Sequence, residues 1–381
     1  MKLYLRFLRA LSVATGLALS LAGAGCSSLT EAPGAQGVMY VGGRYTDDTA
    51  TAGIVEQAYV YYQIPAGYRS GGGKWPVVMV HGSQQTGANF LGTPDGRPGW
   101  AADFLRRGWP VYVIDQPGRG KSGYFPSAYG AQAKSPQAAQ VQALFTAPEL
   151  TSPPAWPEAV LHTQWPGGPG SGKPGNLAFD QFMASQVANM PEYKQALSLT
   201  TKAIGELLKH IGPAVLITHS MTGPVSWMVP QANPGMIKAI IAVEPTGNSS
   251  LRSDAGPGSA CGLSDDCLRF SPPLETATEL NLVKTAAPTK GLQSCWLQGT
   301  VVRALPDLNG IPILIATGEA SYHAQYDQCT SEFLTQAGVG NTWVNLSSVG
   351  LKGNGHMQMI ESNSQKIADF YEGWLRDNIH H

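Results

Sequence analysis

The apolar run Ala214-Val215-Leu216-Ile217 passes directly into Thr218-His219-Ser220-Met221-Thr222-Gly223. No other stretch constrains the fold as much. A short continuous apolar run predicts a strand buried on both faces, because a strand with one wet face alternates apolar and polar residues. A Ser at its end, with small residues two places away on each side, predicts a sharp strand-to-helix turn that presents the hydroxyl at the strand tip. Gly is the usual flank because neighbouring backbone passes close. Here Thr218 and Thr222 take those places. Taken alone, the segment also fits a Ser at an ordinary strand-to-helix turn.

Three other segments fit the same plan. Trp75-Pro76-Val77-Val78-Met79-Val80 is a strand ending in His81-Gly82. Such an end supplies a backbone N–H for a developing oxyanion, from Ser83 or Gln84, with the second donor at Met221. Val111-Tyr112-Val113-Ile114 runs into Asp115-Gln116-Pro117-Gly118-Arg119-Gly120-Lys121-Ser122, a D-x-P-G-x-G-x-S turn common after the fourth strand of α/β-hydrolases. Late in the chain, Gly353-Asn354-Gly355-His356 presents a His in a Gly-rich loop. A closing amphipathic helix follows, with Ile367, Phe370 and Trp374 on one face. The order Ser, acid, His is that of α/β-hydrolases and of neither chymotrypsin nor subtilisin.

Strands are predicted at 38–41, 55–63, 76–81, 111–115, 214–218, 238–243, 311–316 and 342–347, with helical stretches such as 193–211 between several of them. Alternating strand and helix predicts an α/β fold with a mostly parallel central sheet flanked by helices. Two long insertions, about 123–190 and 247–308, leave the strand ends and read as a cap over the site. Within the first, the Pro- and Gly-rich 164–175 fits a loose surface excursion equally well. The domain as a whole is expected over 38–381, after a small-residue linker at 27–37.

The first 26 residues read as an export signal: basic Lys2, Arg6 and Arg9, then an apolar stretch from Ala10 to Ala24. That stretch is too short for a comfortable membrane span. Ala22-Gly23-Ala24 fits ordinary cleavage, whereas Gly23-Ala24-Gly25-Cys26 fits a lipoprotein signal that would attach the chain to a membrane through Cys26. Either route places the mature protein outside the cytoplasm, in the periplasm or secreted. There the four remaining cysteines are expected in two disulfides. Three pairings are possible; the close Cys261 and Cys267 would staple a loop and leave Cys295 with Cys329. A net charge of -1 and a charged fraction of only 13% give no reason to expect nucleic acid as a partner. Oligomeric state is left open, a dimer included.

The chemistry rests on activating a hydroxyl. A Ser is a poor nucleophile until a positioned base takes its proton, and that base needs an acid to hold its tautomer. Ser220 is the candidate nucleophile and His356 the candidate base. His323 is a weaker base, His219 and His81 read as packed or orienting residues, and His162 has no supporting context. Two carboxylates compete for the acid: Glu244, ending the sixth strand and turned by Pro245, and Glu319, following the seventh. Residue spacing does not separate them.

A resemblance does. Thr93-Pro94-Asp95-Gly96-Arg97-Pro98-Gly99-Trp100, Asp115-Gln116-Pro117-Gly118-Arg119-Gly120, His210-Ile211-Gly212-Pro213, Thr218-His219-Ser220, Val243-Glu244-Pro245 and Gly353-Asn354-Gly355-His356 together resemble a group of bacterial periplasmic α/β-hydrolase esterases. That group includes the sulfonylurea-herbicide de-esterifying esterases. The resemblance implies a Ser220-His356-Glu244 triad, oxyanion donors at Ser83 and Met221, a small-molecule ester as substrate, and no metal or organic cofactor. The oxyanion loop and both insertions depart from the group, which leaves the ester itself undetermined.

Other readings separate on particular residues. A phosphate loop ending in Gly120-Lys121-Ser122 would need Gly where Asp115 stands, and Pro117 lacks a needed N–H. A haloalkane dehalogenase would carry a carboxylate at position 220. A zinc site would call for C-x-x-C or H-E-x-x-H, which the chain lacks. An amidase or peptidase shares the triad, and a lipid-anchored binding protein could keep the fold without the activity.

Overall fold

The protein is described from a computed structural model that covers residues 34–246 and 259–379; the export signal, Cys26 and the start of the second insertion lie outside these residues. Among them, eight strands form one sheet: β1 (Ala35–Tyr45), β2 (Ile54–Ile64), β3 (Val77–Val80), β4 (Val111–Asp115), β5 (Ala214–His219), β6 (Ile237–Val243), β7 (Ile313–Thr317) and β8 (Thr342–Asn345). All eight lie where the sequence predicts them. β1 starts at Ala35, inside the segment expected to be linker.

The sheet order is β1-β2-β4-β3-β5-β6-β7-β8. β2 pairs antiparallel with both β1 and β4, and every later pairing is parallel. Side-chain alternation explains why the central strands are apolar throughout. Leu216, Val78, Val80, Ile240 and Ala242 enter one core. Val215, Ile217, Val77, Met79, Ala239 and Ile241 enter the other. With no wet face, these strands have no place for a polar residue between their ends, and Lys238 enters only at the N-terminal end of β6.

Helices close each face. The first core packs under α3 (Tyr193–Ile211), whose Leu197, Ile204, Leu207 and Leu208 are buried and whose end is set by Gly212 at φ +79°. The second packs under α1 (Trp100–Arg106) and α6 (Ser364–Asn378) through Phe104, Ile367, Tyr371 and Leu375. Two further helices follow strands, α4 (Val225–Ala232) after the Ser220 turn and α5 (Asp327–Gln336) after β7.

The first insertion is packed rather than loose. It contains α2 (Leu177–Ala184), and Trp165 is fully buried edge-on against Phe182. Thr146 Oγ1 donates to Gly172 O at 2.6 Å, and Gly170 N to Glu149 Oε1 at 2.7 Å. The glycines of 164–175 let the chain turn tightly onto this support. A disulfide joins Cys261 to Cys267 within the second insertion, and another joins Cys295 of the insertion to Cys329 of α5.

Candidate active site

Ser220 follows β5 with φ +54°, a left-handed conformation that costs a non-Gly residue about 1 kcal/mol or more. The turn is held by its own carbonyl, which accepts from Gly223 N and Thr246 N, both at 2.8 Å. Close approach falls on Gly223, where a Cβ would lie 2.6 Å from Pro245 Cβ and 2.5 Å from Thr246 O. The two threonines fit because their hydroxyls are bonded. Thr218 Oγ1 pairs with Ser226 Oγ at 2.6 Å, and Thr222 Oγ1 donates to His219 O at 3.0 Å.

His356 and Glu244 meet beside this turn. Glu244, itself at φ +46°, leaves the tip of β6, the strand next to β5, and its Oε2 is hydrogen-bonded to His356 Nδ1. The carboxylate also accepts from Gly318 N (2.7 Å), Ser321 Oγ (2.6 Å) and Gln358 Nε2 (3.2 Å). Those donors favour the ionised form against the cost of burial, and with the carboxylate ionised it is the Nδ1 proton of His356 that makes the bond. Glu319 is occupied elsewhere, accepting from Gly353 N at 2.7 Å. It supports the His loop from below.

The other ring nitrogen is also engaged. His356 Nε2 lies 3.3 Å from the Tyr322 hydroxyl, and among the described residues Ser220 Oγ makes no hydrogen bond to the ring. Phe145 stacks on the imidazole at 5.3 Å and His323 at 4.9 Å, while Trp156 packs edge-on against Tyr322 and donates to Ala320 O at 3.0 Å. Phe145 belongs to a wide helical turn over Gln142–Thr146 in the first insertion. The cap and Tyr322 therefore cover the base.

On the facing side, the loop after β3 lies against the nucleophile: a Cβ on Gly82 would be 3.0 Å from Ser220 Cβ. Asn189 of the cap clamps it, donating to Ser83 Oγ (2.8 Å) and accepting from Gln84 N (2.7 Å). That bond occupies the Gln84 N–H and leaves Ser83 as the candidate donor from this loop, with Met221 opposite. Asp115 braces the same loop, accepting from Gly87 N at 2.7 Å and Lys121 N at 2.9 Å. Thus the D-x-P-G-x-G-x-S turn is scaffolding.

A bacterial esterase, described as novel and solved at atomic resolution, matches the chain with a TM-score of 0.62 at 23% identity, over 92% of this chain and 97% of its own. No protein-family model matches. A fungal protein named "Probable secreted lipase phiG", from Fungal sp., is 37% identical over 340 residues, 88% of each chain. The chain belongs to the α/β-hydrolase family of that lipase.

Burial sets the electrostatics of the hydrolase. It pushes the Glu244 carboxyl up to about 8 and holds the His356 imidazole well below its usual value, with His323 adding to the depression. His356 is thus held neutral at rest, the state in which a ring nitrogen can accept a proton. Glu244, His323 and His356 also bring one ligand atom each within 4.8 Å of one another, the arrangement closest to a metal site among the described residues. His323 Nδ1 is bonded to Asp327 Oδ1 at 2.8 Å and His356 Nδ1 to Glu244.

Some contacts at the site have no signal in the sequence, although the sequence offers His323 as a weaker base. His323 and Tyr322 reach His356 only because β7 ends beside β6. Arg119 is buried behind Met221, with Nη2 3.9 Å from Met221 Sδ and no hydrogen-bond partner for Nη1 among the described residues. The Thr93–Trp100 block acts at a distance. Arg97 donates to the carbonyls of Ile360, Glu361 and Ser362 at 3.3, 3.1 and 3.2 Å, tying down the segment just after His356.

Proposed function

We propose that the hydrolase cleaves carboxylic esters through an acyl-enzyme on Ser220, with His356 as base and Glu244 as its acid. The observation that carries this reading is the Glu244 carboxylate on His356 Nδ1, fixed by three further donors at the strand tip next to Ser220. His356 Nε2 takes the Ser220 proton as Oγ attacks the ester carbonyl, and Glu244 stabilises the imidazolium. The N–H groups of Ser83 and Met221 receive the oxyanion. Losing one such donor costs about 3 kcal/mol of transition-state stabilisation. His356 then protonates the leaving alcohol, and water resolves the acyl-enzyme.

Substrate entry has to draw the Tyr322 hydroxyl off Nε2 so that Ser220 can take its place. Phe145, Tyr322 and Trp156 give the covering wall an apolar, aromatic character that suits a hydrophobic acyl or alcohol group. The relative's name, lipase, agrees with that character. Its description as secreted, with the two disulfides, supports export.

A fluorophosphonate probe with tryptic mass mapping tests the assignment. The modification is expected on Ser220 alone and at less than a tenth of the rate in Glu244→Gln. Labelling of another residue, or none, contradicts it.

A further inference from the structure

The cap does more than cover the site. Residues 162–164 run alongside the loop that carries His356. Thr163 N donates to Gly353 O at 3.0 Å, Ser362 N to Gln164 O at 2.7 Å, and Gln164 Nε2 to Lys352 O at 3.1 Å. Between them His162, fully buried, bridges two carboxylates: Nδ1 lies 2.9 Å from Glu149 Oε2 and Nε2 3.0 Å from Glu361 Oε1. Glu361 Oε1 also accepts the N–H of Gly355, the residue before His356, at 2.8 Å, and its Oε2 accepts from Asn354 Nδ2 at 2.6 Å.

These contacts explain both glycines of the Gly353-Asn354-Gly355-His356 loop. A Cβ on Gly355 would lie 3.0 Å from His162 Cδ2, and one on Gly353 would run into Thr163 Oγ1. The loop is shaped to receive the cap. We propose that His162 is a positioning residue: through Glu361 it lets the cap set the backbone of the Gly355-His356 turn and so hold the His356 ring on Glu244 and toward Ser220. The inference rests on the reading of His356 as base.

A neutral imidazole has one N–H, yet both His162 nitrogens face a carboxylate. Only the imidazolium satisfies both. Burial pushes the ring down, but the Glu149 and Glu361 hydrogen bonds outweigh it and raise its pKa to about 9. Burial likewise pushes Glu149 up, and its bonds to His162 and Gly170 N hold it below its usual value. Among the described residues no other charged side chain partners the ring, and Glu319, just after β7, is bonded to Gly353 N. Because the folded pKa is raised, the stabilisation is fully present below the ordinary 6.5 and is lost as pH rises through about 9.

The test is a pH series from 6 to 10, reading kcat and KM for a p-nitrophenyl ester together with the melting temperature. It compares wild type, His162→Gln and Glu149→Gln, with Ser220→Ala as the blank. In wild type, kcat and melting temperature are expected to fall together near pH 9. In His162→Gln, kcat should drop between about tenfold and about a hundredfold at neutral pH, as for a displaced catalytic group, with KM within about twofold and no alkaline fall. Glu149→Gln, which keeps the Glu361 contact, should move the alkaline fall to lower pH and serves if His162→Gln does not fold. A kcat in His162→Gln within twofold of wild type, or an alkaline fall that neither substitution moves, overturns the proposal. If Ser220→Ala hydrolyses the ester as fast as wild type, the esterase reading fails instead, and the melting series alone still decides whether His162 titrates as the cap's latch.

Discussion

At the scale of single residues, the sequence leaves Glu244 and Glu319 as equals because both end a strand at the same edge. The structure separates them by what each carboxylate touches: the His356 ring for one, the Gly353 backbone for the other. Glu244→Gln is therefore expected to lower kcat by about 10³–10⁴, as loss of the acid does in other triads, without changing the melting profile of the sheet. Glu319→Gln weakens a loop contact and should cost less than about tenfold in kcat. Steady-state kinetics on both variants checks this, and a larger loss in Glu319→Gln contradicts it. Ser220 and His356 were legible because each lies in a local pattern, a strand-turn-helix and a Gly-rich loop. Tyr322 and His162 were not, since their roles come from contacts across 34 and 199 positions of sequence, and His323 was legible only as a weaker base.

At the scale of elements, the central strands β3 to β7 were legible because two-sided burial leaves nearly uninterrupted apolar runs, and every strand of the sheet lies within a few residues of its expected place. The turn after β5 was legible in outline and misplaced in detail. The sequence pattern points to positions 218 and 222 as the crowded flanks, where hydroxyls turn out to be accommodated by hydrogen bonds. The crowding falls at Gly223, against Pro245 and Thr246 behind the β6 tip. Gly223→Ala should accordingly destabilise the protein by about 2 kcal/mol, the usual cost of forcing a methyl into packed surroundings, and lower ester turnover by displacing Ser220. Thermal melting and kcat measured together check it, and an alanine variant equal to wild type in both would show that the β6 turn yields. The cap was the least legible element. Its Gly and Pro content hides a packed structure held by single long-range bonds, such as His162 to Glu361, that have no periodicity to read.

For the whole molecule, a near-neutral, Gly-rich chain holds together through a sheet whose central strands are buried on both faces and through two disulfides, one within the second insertion and one from it to α5. Cys295 and Cys329 are 34 positions apart and their bond ties 283–297 to α5, whereas Cys261 and Cys267 are only 6 apart. On loop-closure grounds their removal should cost about 4 and about 2 kcal/mol respectively. Urea unfolding of the two double Cys→Ala variants reads the order, and a reversed order would mean that native contacts outweigh chain entropy here. Export, expected from the first 26 residues, fits these disulfides and the secreted relative. The central claim is that one serine at the tip of β5 performs ester hydrolysis under a cap that also positions its base. The most direct test is p-nitrophenyl ester hydrolysis across short and medium acyl chains, wild type beside Ser220→Ala. The account predicts turnover in wild type that falls to background in the variant, with equal melting temperatures. Turnover that survives in Ser220→Ala would contradict it.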